Sequence, residues 1–329
     1  MTDIRMIEAA RDRIGSEARR TPLLSSPALD GLAGRRVLVK AECLQHTGSF
    51  KLRGGWSAVS ALTPAARAQG VIAYSSGNHA QGVALAAARH GAPCVIVMPA
   101  DAPRLKIDNT RALGAEVVLY DRATDDRDAI GRSIADARGL TLIPPFDDPQ
   151  VIAGQGTVGL ELAEQAAEAG VRQADVLVCA GGGGLASGIA LALEARAPGL
   201  RVRTAEPEGF DDWARSLAAG RPLRNDRLSG SVCDAIVTPE PGRLTFPILS
   251  RLAGPGLAVR DDEALHAVAI AAARLKLVVE PGGAVALAAA LFRRDAIAGD
   301  TVIVVATGGN IDPAILARAL DRFGTGDQT

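Results

Sequence analysis

Short apolar runs rich in β-branched residues punctuate the chain at residues 37–40, 71–74, 94–98, 116–119, 176–179, 202–205 and 301–306. They do not alternate apolar with polar, so they read as strands buried on both faces. Between most of them lie Ala/Leu-rich stretches of helical length, such as 81–90 and 185–196. This alternation predicts an α/β fold in which helical crossovers connect the strands of parallel sheets. At 329 residues the chain exceeds the size at which a single hydrophobic core keeps growing, which predicts about two domains. The segment Pro144-Pro145-Phe146-Asp147-Asp148-Pro149 interrupts any regular element and marks one crossing between them; a second crossing is expected before Val71. The expected division is a large domain of residues 1–68 and 148–329 and a small one of residues 69–147, each with a parallel-sheet core.

Charge and composition exclude several function classes. The formal net charge is −1, so no basic excess exists to hold a nucleic-acid backbone or an anionic membrane. The N-terminal 20 residues are charged throughout and lack the apolar core of a secretory signal. The longest apolar stretches, such as 284–292, are too short to span a bilayer. A soluble, cytoplasmic protein is expected. Cys43, Cys94, Cys179 and Cys233 are widely separated, which argues against a zinc site or a disulfide framework and for reduced thiols.

The glycine-rich motifs follow predicted strands, where open α/β sheets bind ligands. Ser75-Ser76-Gly77-Asn78-His79 follows the run at 71–74, Gly181-Gly182-Gly183-Gly184 follows 176–179, and Thr307-Gly308-Gly309-Asn310 follows 301–306. The glycine quartet leads into a helix start, whose unpaired N–H groups suit a phosphate; a tight strand-to-helix turn is the simpler alternative. The quartet fits neither the nucleotide-binding pattern G-x-x-x-x-G-K-[ST], since no lysine follows, nor a dinucleotide fingerprint with an acidic partner. Lys51, after Thr47-Gly48-Ser49-Phe50, opens another predicted helix, where burial would depress its pKa toward the neutral amine that condenses with an aldehyde. One lysine and one phosphate cradle together point to pyridoxal phosphate. Asn78 and His79 are placed to hydrogen-bond a ring oxygen or to help hold a substrate carboxylate, with helix capping by Ser76 or Asn78 as the structural alternative.

In family order, Thr21-Pro22-Leu23, residues 47–54, residues 75–79, residues 151–157, the quartet, Ala205-Glu206-Pro207, Glu280-Pro281 and residues 307–310 resemble the fold-type II pyridoxal-phosphate enzymes, in particular the serine/threonine dehydratase and serine racemase family. The resemblance covers nearly the whole chain and implies the two-domain, tryptophan synthase β-like architecture. It implies Lys51 as the amine that carries the cofactor and removes the substrate Cα proton, Phe50 beside the ring, and Asn78 on its phenolic oxygen. Gly181, Gly182, Gly183, Gly184 and Leu185 would hold the phosphate. Thr307 would face the pyridine nitrogen, where the family usually has serine. A neutral hydroxyl there favours loss of a β-leaving group over transamination. Ser75, Ser76, Gly77 and His79 would contact substrate, and Ser76 matches the serine that in racemases supplies acid on the ring face opposite Lys51. Glu206, the carbonyl of Phe210 and Asp212 match the family's divalent-cation loop, with oxygen-only ligands suited to Mg²⁺.

The implied reaction is elimination of water from a β-hydroxy-α-amino acid such as L-threonine or L-serine, giving a 2-oxo acid and ammonia. 3-Hydroxyaspartate dehydration and amino acid racemisation are the alternatives, with a non-catalytic cofactor-binding protein as a further one. The resemblance also implies a homodimer, and a chain ending at Thr329 leaves no room for an extra regulatory domain. Two departures bear on substrate. Ser231-Val232-Cys233-Asp234-Ala235 replaces a common Ala-Asp-Gly, and His46 precedes Thr47. Were His46 and an arginine to face the cleft, a β-carboxylated substrate would be favoured; exposure on a loop is the simpler reading of His46.

Overall fold

A computed structural model describes residues 2–75, 77–102, 104–121 and 123–324. The apolar runs pair into two sheets. The first has six strands in the order β1-β2-β10-β7-β8-β9, where β1 is Leu23–Leu24, β2 Arg36–Lys40, β7 Ala174–Cys179, β8 Leu200–Pro207, β9 Leu257–Val259 and β10 Thr301–Val305. All its neighbours are parallel except β1, which runs antiparallel to β2 at the sheet edge. The second sheet is fully parallel, in the order β5-β4-β3-β6, with β3 Val71–Tyr74, β4 Cys94–Pro99, β5 Glu116–Tyr120 and β6 Thr141–Leu142. The chain leaves the larger sheet after β2, builds the smaller one, and returns through residues 143–148.

The central strands β10, β7 and β4 are buried almost end to end, as continuous Val/Ile runs require when helices cover both faces. The two-residue strands β1 and β6 and the three-residue β9 carry too few residues for a period to register, and the sequence reading does not identify them. No described helix is long and apolar enough to cross a membrane.

One contact fixes the helix that begins at Lys51. Helix Lys51–Ala61 crosses helix Asn78–Arg89 so closely that a Cβ on Gly82 would stand 2.8 Å from the Lys51 carbonyl carbon. Only a glycine lets the two backbones meet at this distance, so the loop bearing Asn78 and His79 is seated directly beside Lys51.

Beneath that crossing lies a buried ionic cluster. The Arg53 guanidinium, 1% exposed, donates to both oxygens of the fully buried Glu42 at 2.8 Å and to the two oxygens of Glu161 at 2.7 and 3.0 Å. Lys40 Nζ donates to the second Glu161 oxygen at 2.5 Å, to Gln165 at 2.9 Å and to the Thr21 carbonyl at 2.8 Å. Burial alone would raise the Glu42 carboxyl, but the Arg53 charge and hydrogen bonds outweigh it and hold the group below its ordinary value. Two cations and two anions balance, with their remaining lone pairs and protons satisfied, which is the condition under which such a cluster is tolerated in a core. Removing one member leaves the others uncompensated. Arg53→Met is expected to destabilise the protein by about 3–5 kcal/mol, read as a lower urea midpoint at unchanged slope.

Candidate active site

A cavity of about 260 Å³ is walled by residues from both sheets, among them Phe50, Lys51, Ser75, Gly77, Asn78, His79, Gly181, Gly182, Gly183, Gly184, Leu185, Glu280 and Thr307. The loop before Lys51 is stitched to the loop after β10. Phe50 N donates to the Thr307 carbonyl at 3.2 Å, Gly309 N to the Gly48 carbonyl at 2.8 Å, and Asn310 Nδ2 to the Thr47 carbonyl at 2.8 Å. Lys51 therefore enters its helix from a fixed position, with Nζ donating to the Pro145 carbonyl at 2.9 Å and lying 5.1 Å from the Phe50 ring centre. Burial pushes its pKa down to about 8, opposed by the nearby Glu280 carboxylate.

The quartet has the form of an anion cradle. Helix Gly184–Arg196 begins at Gly183 with no side-chain cap, so its first N–H groups lack intrahelical acceptors. Side chains are shut out of this turn: a Cβ on Gly182 would lie 2.2 Å from the Phe146 ring, and one on Gly183, at φ +90°, 2.2 Å from Trp213. Trp213 Nε1 donates to the Gly181 carbonyl at 2.5 Å and Thr245 Oγ1 to the Gly182 carbonyl at 2.7 Å, which commits these two carbonyls to partners outside the cavity wall. A phosphate would supply the missing cap. The Thr307 wall is neutral, shared with Cys179, whose thiol burial raises to about 11.

Helix Asn78–Arg89 also starts without a side-chain cap, at Gly77. Asn78 is not used for capping. Its Nδ2 donates to Glu280 Oε1 at 2.5 Å and its Oδ1 accepts from Asn310 at 2.6 Å, which fixes the amide orientation and leaves one Nδ2 proton uncommitted. Glu280 is pushed up to about 7 by burial, against the pull of Asn78 and Lys106. Ser75 Oγ accepts from Gly77 N at 3.2 Å. His79, 2% exposed, has Nε2 at 2.8 Å from the Ile143 carbonyl; since a carbonyl only accepts, Nε2 carries the proton and Nδ1 is left without a partner. Ser76 lies outside the described residues.

The acidic loop lies away from the cavity wall. Glu206 is fully buried and its two oxygens accept backbone N–H groups of Trp213 and Ala214 at 2.8 and 2.9 Å. Burial and the Asp212 charge raise it well above the carboxylate range. Asp212 is pushed up to about 7, chiefly by burial; its Oδ1 accepts from Asn225 at 2.6 Å and its Oδ2 is buried without a partner. Among the described residues no cluster of three or more Asp, Glu, His or Cys side chains could hold a metal, so two carboxylates and the Phe210 carbonyl are what the protein offers here.

His46 lines a different cavity, with Ser16, Glu17, Leu52, Trp56, Leu85 and Arg89, and so does not face Lys51. The cations of the Lys51 cavity are instead Lys106 and Arg127. Sequence reasoning missed these two, together with Phe146 and the grip of Glu280 on Asn78. Phe146 had a signal in the proline-rich crossing and Glu280 in the Glu280-Pro281 motif, while Asp234 lines the cavity from the segment of residues 231–235 singled out as bearing on substrate.

A family model described as pyridoxal-phosphate dependent enzyme matches residues 14–308. The chain is 43% identical over 303 residues to the L-threo-3-hydroxyaspartate ammonia-lyase of Pseudomonas sp, covering 92% of this chain and 93% of that one. It is 40% identical over 307 residues to the serine racemase of Schizosaccharomyces pombe, covering 93% of each. A solved threonine deaminase from T.th. matches with a TM-score of 0.89 at 46% identity, over 94% of this chain and 99% of that one.

His79 provides a test of the site's dryness. Burial, then the Lys51 charge, depress its pKa to about 3 from an ordinary 6.5. Between those values the unfolded chain binds a proton that the folded chain refuses, so this histidine contributes a loss of stability as pH falls. Its imidazole resonances are expected to stay at neutral shifts from pH 8 down to pH 5; a titration near 6.5 would show the ring to be solvated.

Proposed function

Because this chain belongs to the pyridoxal-phosphate dependent enzyme family, we propose that it is an ammonia-lyase that eliminates water from a β-hydroxy-α-amino acid such as L-threonine or L-serine. The observation that carries this reading is a buried lysine amine with its pKa near 8 in the same cavity as an uncapped glycine turn and a neutral hydroxyl wall. In this reading residues 1–68 and 148–329 form the cofactor lobe and residues 69–147 the substrate lobe.

Bound pyridoxal phosphate supplies an aldehyde that condenses with amines and a conjugated ring that accepts charge developing at the substrate Cα. Lys51 would hold it, and Gly181 to Gly184 with Leu185 would cap its phosphate through N–H groups. Phe50 would pack beside the ring. The uncommitted Asn78 proton would be available to the phenolic oxygen, and Thr307 would offer a hydroxyl, not a carboxylate, to the ring nitrogen. Ser75, Gly77 and the free N–H groups of the helix that starts after Gly77 grip the substrate carboxylate, with neutral His79 behind them. Desolvation makes the Lys51 amine available as a base near neutral pH. It takes the Cα proton and returns a proton to the departing β-hydroxyl, which leaves as water; hydrolysis of the unsaturated product gives the 2-oxo acid and ammonia.

Lys51→Ala is expected to abolish 2-oxo acid release from serine and threonine and to remove the borohydride-fixed cofactor from the Lys51 peptide on mass mapping. In the native protein the rate of cofactor loading should rise as pH rises through about 8, since the neutral amine is the nucleophile. Inverted amino acid without 2-oxo acid would assign racemisation; an intact cofactor band with no product would assign binding alone.

The reading extends to a divalent cation, Mg²⁺ by oxygen chemistry, held by Glu206, the Phe210 carbonyl and Asp212 with water filling the remaining positions. Its support is a pair of carboxylates whose pKa values burial raises, and the unpartnered Asp212 Oδ2. Binding needs both ionised, so Mg²⁺ is expected to raise the melting midpoint more at pH 8 than at pH 6, and not at all in Asp212→Asn. The active unit in this reading is a homodimer, and four buried free cysteines accord with the reducing setting of the cytoplasm.

A further inference from the structure

Cys179 stands on the cavity wall without a task in the chemistry described so far. It is the last residue of β7, 5% exposed, and lies beside Thr307, which follows the parallel neighbour β10. Its sulfur is a junction of three elements. The S–H is within reach of the Gly283 carbonyl at 3.4 Å and the Val305 carbonyl at 3.8 Å, and the sulfur accepts the Ala286 N–H at 3.3 Å. Thr307 is tied to the same point: its N–H donates to the same Gly283 carbonyl at 3.3 Å, and its hydroxyl donates to the Cys179 sulfur. Burial raises the thiol to about 11, so it stays protonated at neutral pH and adds no charge to this wall.

A threonine at position 307 faces a choice that a serine does not. Its Cβ carries an oxygen and a methyl, and a change of rotamer puts one where the other was. Which branch meets a ring nitrogen lying against this wall depends on what holds the oxygen, and the partner the structure gives that oxygen is the sulfur. A hydroxyl has one proton to give. Sulfur is a weak acceptor and a pyridine nitrogen a stronger one, so a bound ring draws the proton away from Cys179. The thiol can then turn its own proton from the Gly283 carbonyl to the Thr307 oxygen, and the contact survives with donor and acceptor exchanged. A filler of this buried corner needs only to be small and apolar; this contact needs a side chain that both accepts and donates.

Resting on the ammonia-lyase reading with pyridoxal phosphate held by Lys51, we propose that Cys179 is the positioning residue of the Thr307 hydroxyl: its sulfur fixes the rotamer that presents the oxygen, and not the methyl, to the cofactor's ring nitrogen. Thr307 is the residue that touches the cofactor, and Cys179 acts through it. Without the sulfur, the ring nitrogen meets a methyl group and is left unsatisfied in a buried wall, which weakens cofactor binding and alters the ring's capacity to accept charge from the substrate.

The test compares the native protein with Cys179→Ala, Cys179→Ser, Thr307→Val and Cys179→Ala/Thr307→Val, each loaded with pyridoxal phosphate, by visible absorption, cofactor dissociation constant and 2-oxo acid release from serine and threonine. Cys179→Ala is expected to shift the absorption maximum in the same direction as Thr307→Val, to weaken cofactor binding about tenfold and to lower kcat about tenfold with KM within about twofold of native. The double variant is expected to lose no more than Thr307→Val alone, because without a hydroxyl the sulfur has nothing to orient. Cys179→Ser, which accepts and donates, should restore the native spectrum and most of kcat. An unchanged spectrum in Cys179→Ala, losses that add in the double variant, or a Cys179→Ser as impaired as Cys179→Ala overturns the proposal and leaves Cys179 a core filler. Where Cys179→Ala shows no cooperative melting, Cys179→Val against Cys179→Ser makes the same comparison. If the loaded protein releases no 2-oxo acid, the lyase reading fails by itself, and the spectrum and dissociation constant still decide. If the native protein takes up no cofactor, the cofactor reading fails, and crystal structures of the unloaded native protein and Cys179→Ala decide what remains: the same Thr307 rotamer in both overturns the role of the sulfur, and a changed one upholds it.

Discussion

The Arg53 fork between Glu42 and Glu161 is the interaction on which the rest of this molecule depends. It joins the end of β2, the helix that starts at Lys51 and the long helix Pro149–Glu168, three elements far apart in the sequence. Charges buried this deeply tolerate one arrangement, because every misregistered packing would strand an ion without a partner. Arg53 lies two residues from Lys51, so the geometry imposed on the guanidinium is imposed within half a helical turn on the amine. Hydrophobic packing alone would permit sliding by a fraction of a turn; the fork does not.

Above that anchor the cavity uses one device twice. Two helices begin at glycines with no side-chain cap, one at Gly183 and one at Gly77, and each leaves its first N–H groups to be satisfied from the cavity. A molecule with a phosphate at one end and a carboxylate at the other would complete both helices. Between the two lie the groups whose protonation burial has displaced: Lys51 and His79 downward, Glu280 upward. All three shifts favour the uncharged form, as a poorly hydrated pocket requires.

The sequence is most legible where a local rule applies. The uninterrupted Val/Ile runs mark β3 to the residue, and the glycine quartet marks a strand-to-helix turn, because both rest on neighbours within a few positions. Edge strands β1, β6 and β9 are too short to carry a period. Lys106 and Arg127 fall on ordinary polar helix turns, and what brings them to the cavity is the stacking of the smaller sheet against Lys51, a long-range fact with no local trace. His46 shows the converse: it is close to Lys51 in sequence, yet Thr47 at φ 60° turns the chain between them and His46 lines another cavity, in keeping with the simpler reading of it as a loop residue outside the cleft.

Trp213 lies against the glycine turn, its indole N–H bonded to the Gly181 carbonyl, and the only other tryptophan, Trp56, packs tilted against His90 with ring centres 4.5 Å apart. An indole emits where a conjugated pyridine aldehyde absorbs. The protein thus has a built-in optical gauge of whether that turn is occupied, a fluorophore that occupancy would dim and that needs no label.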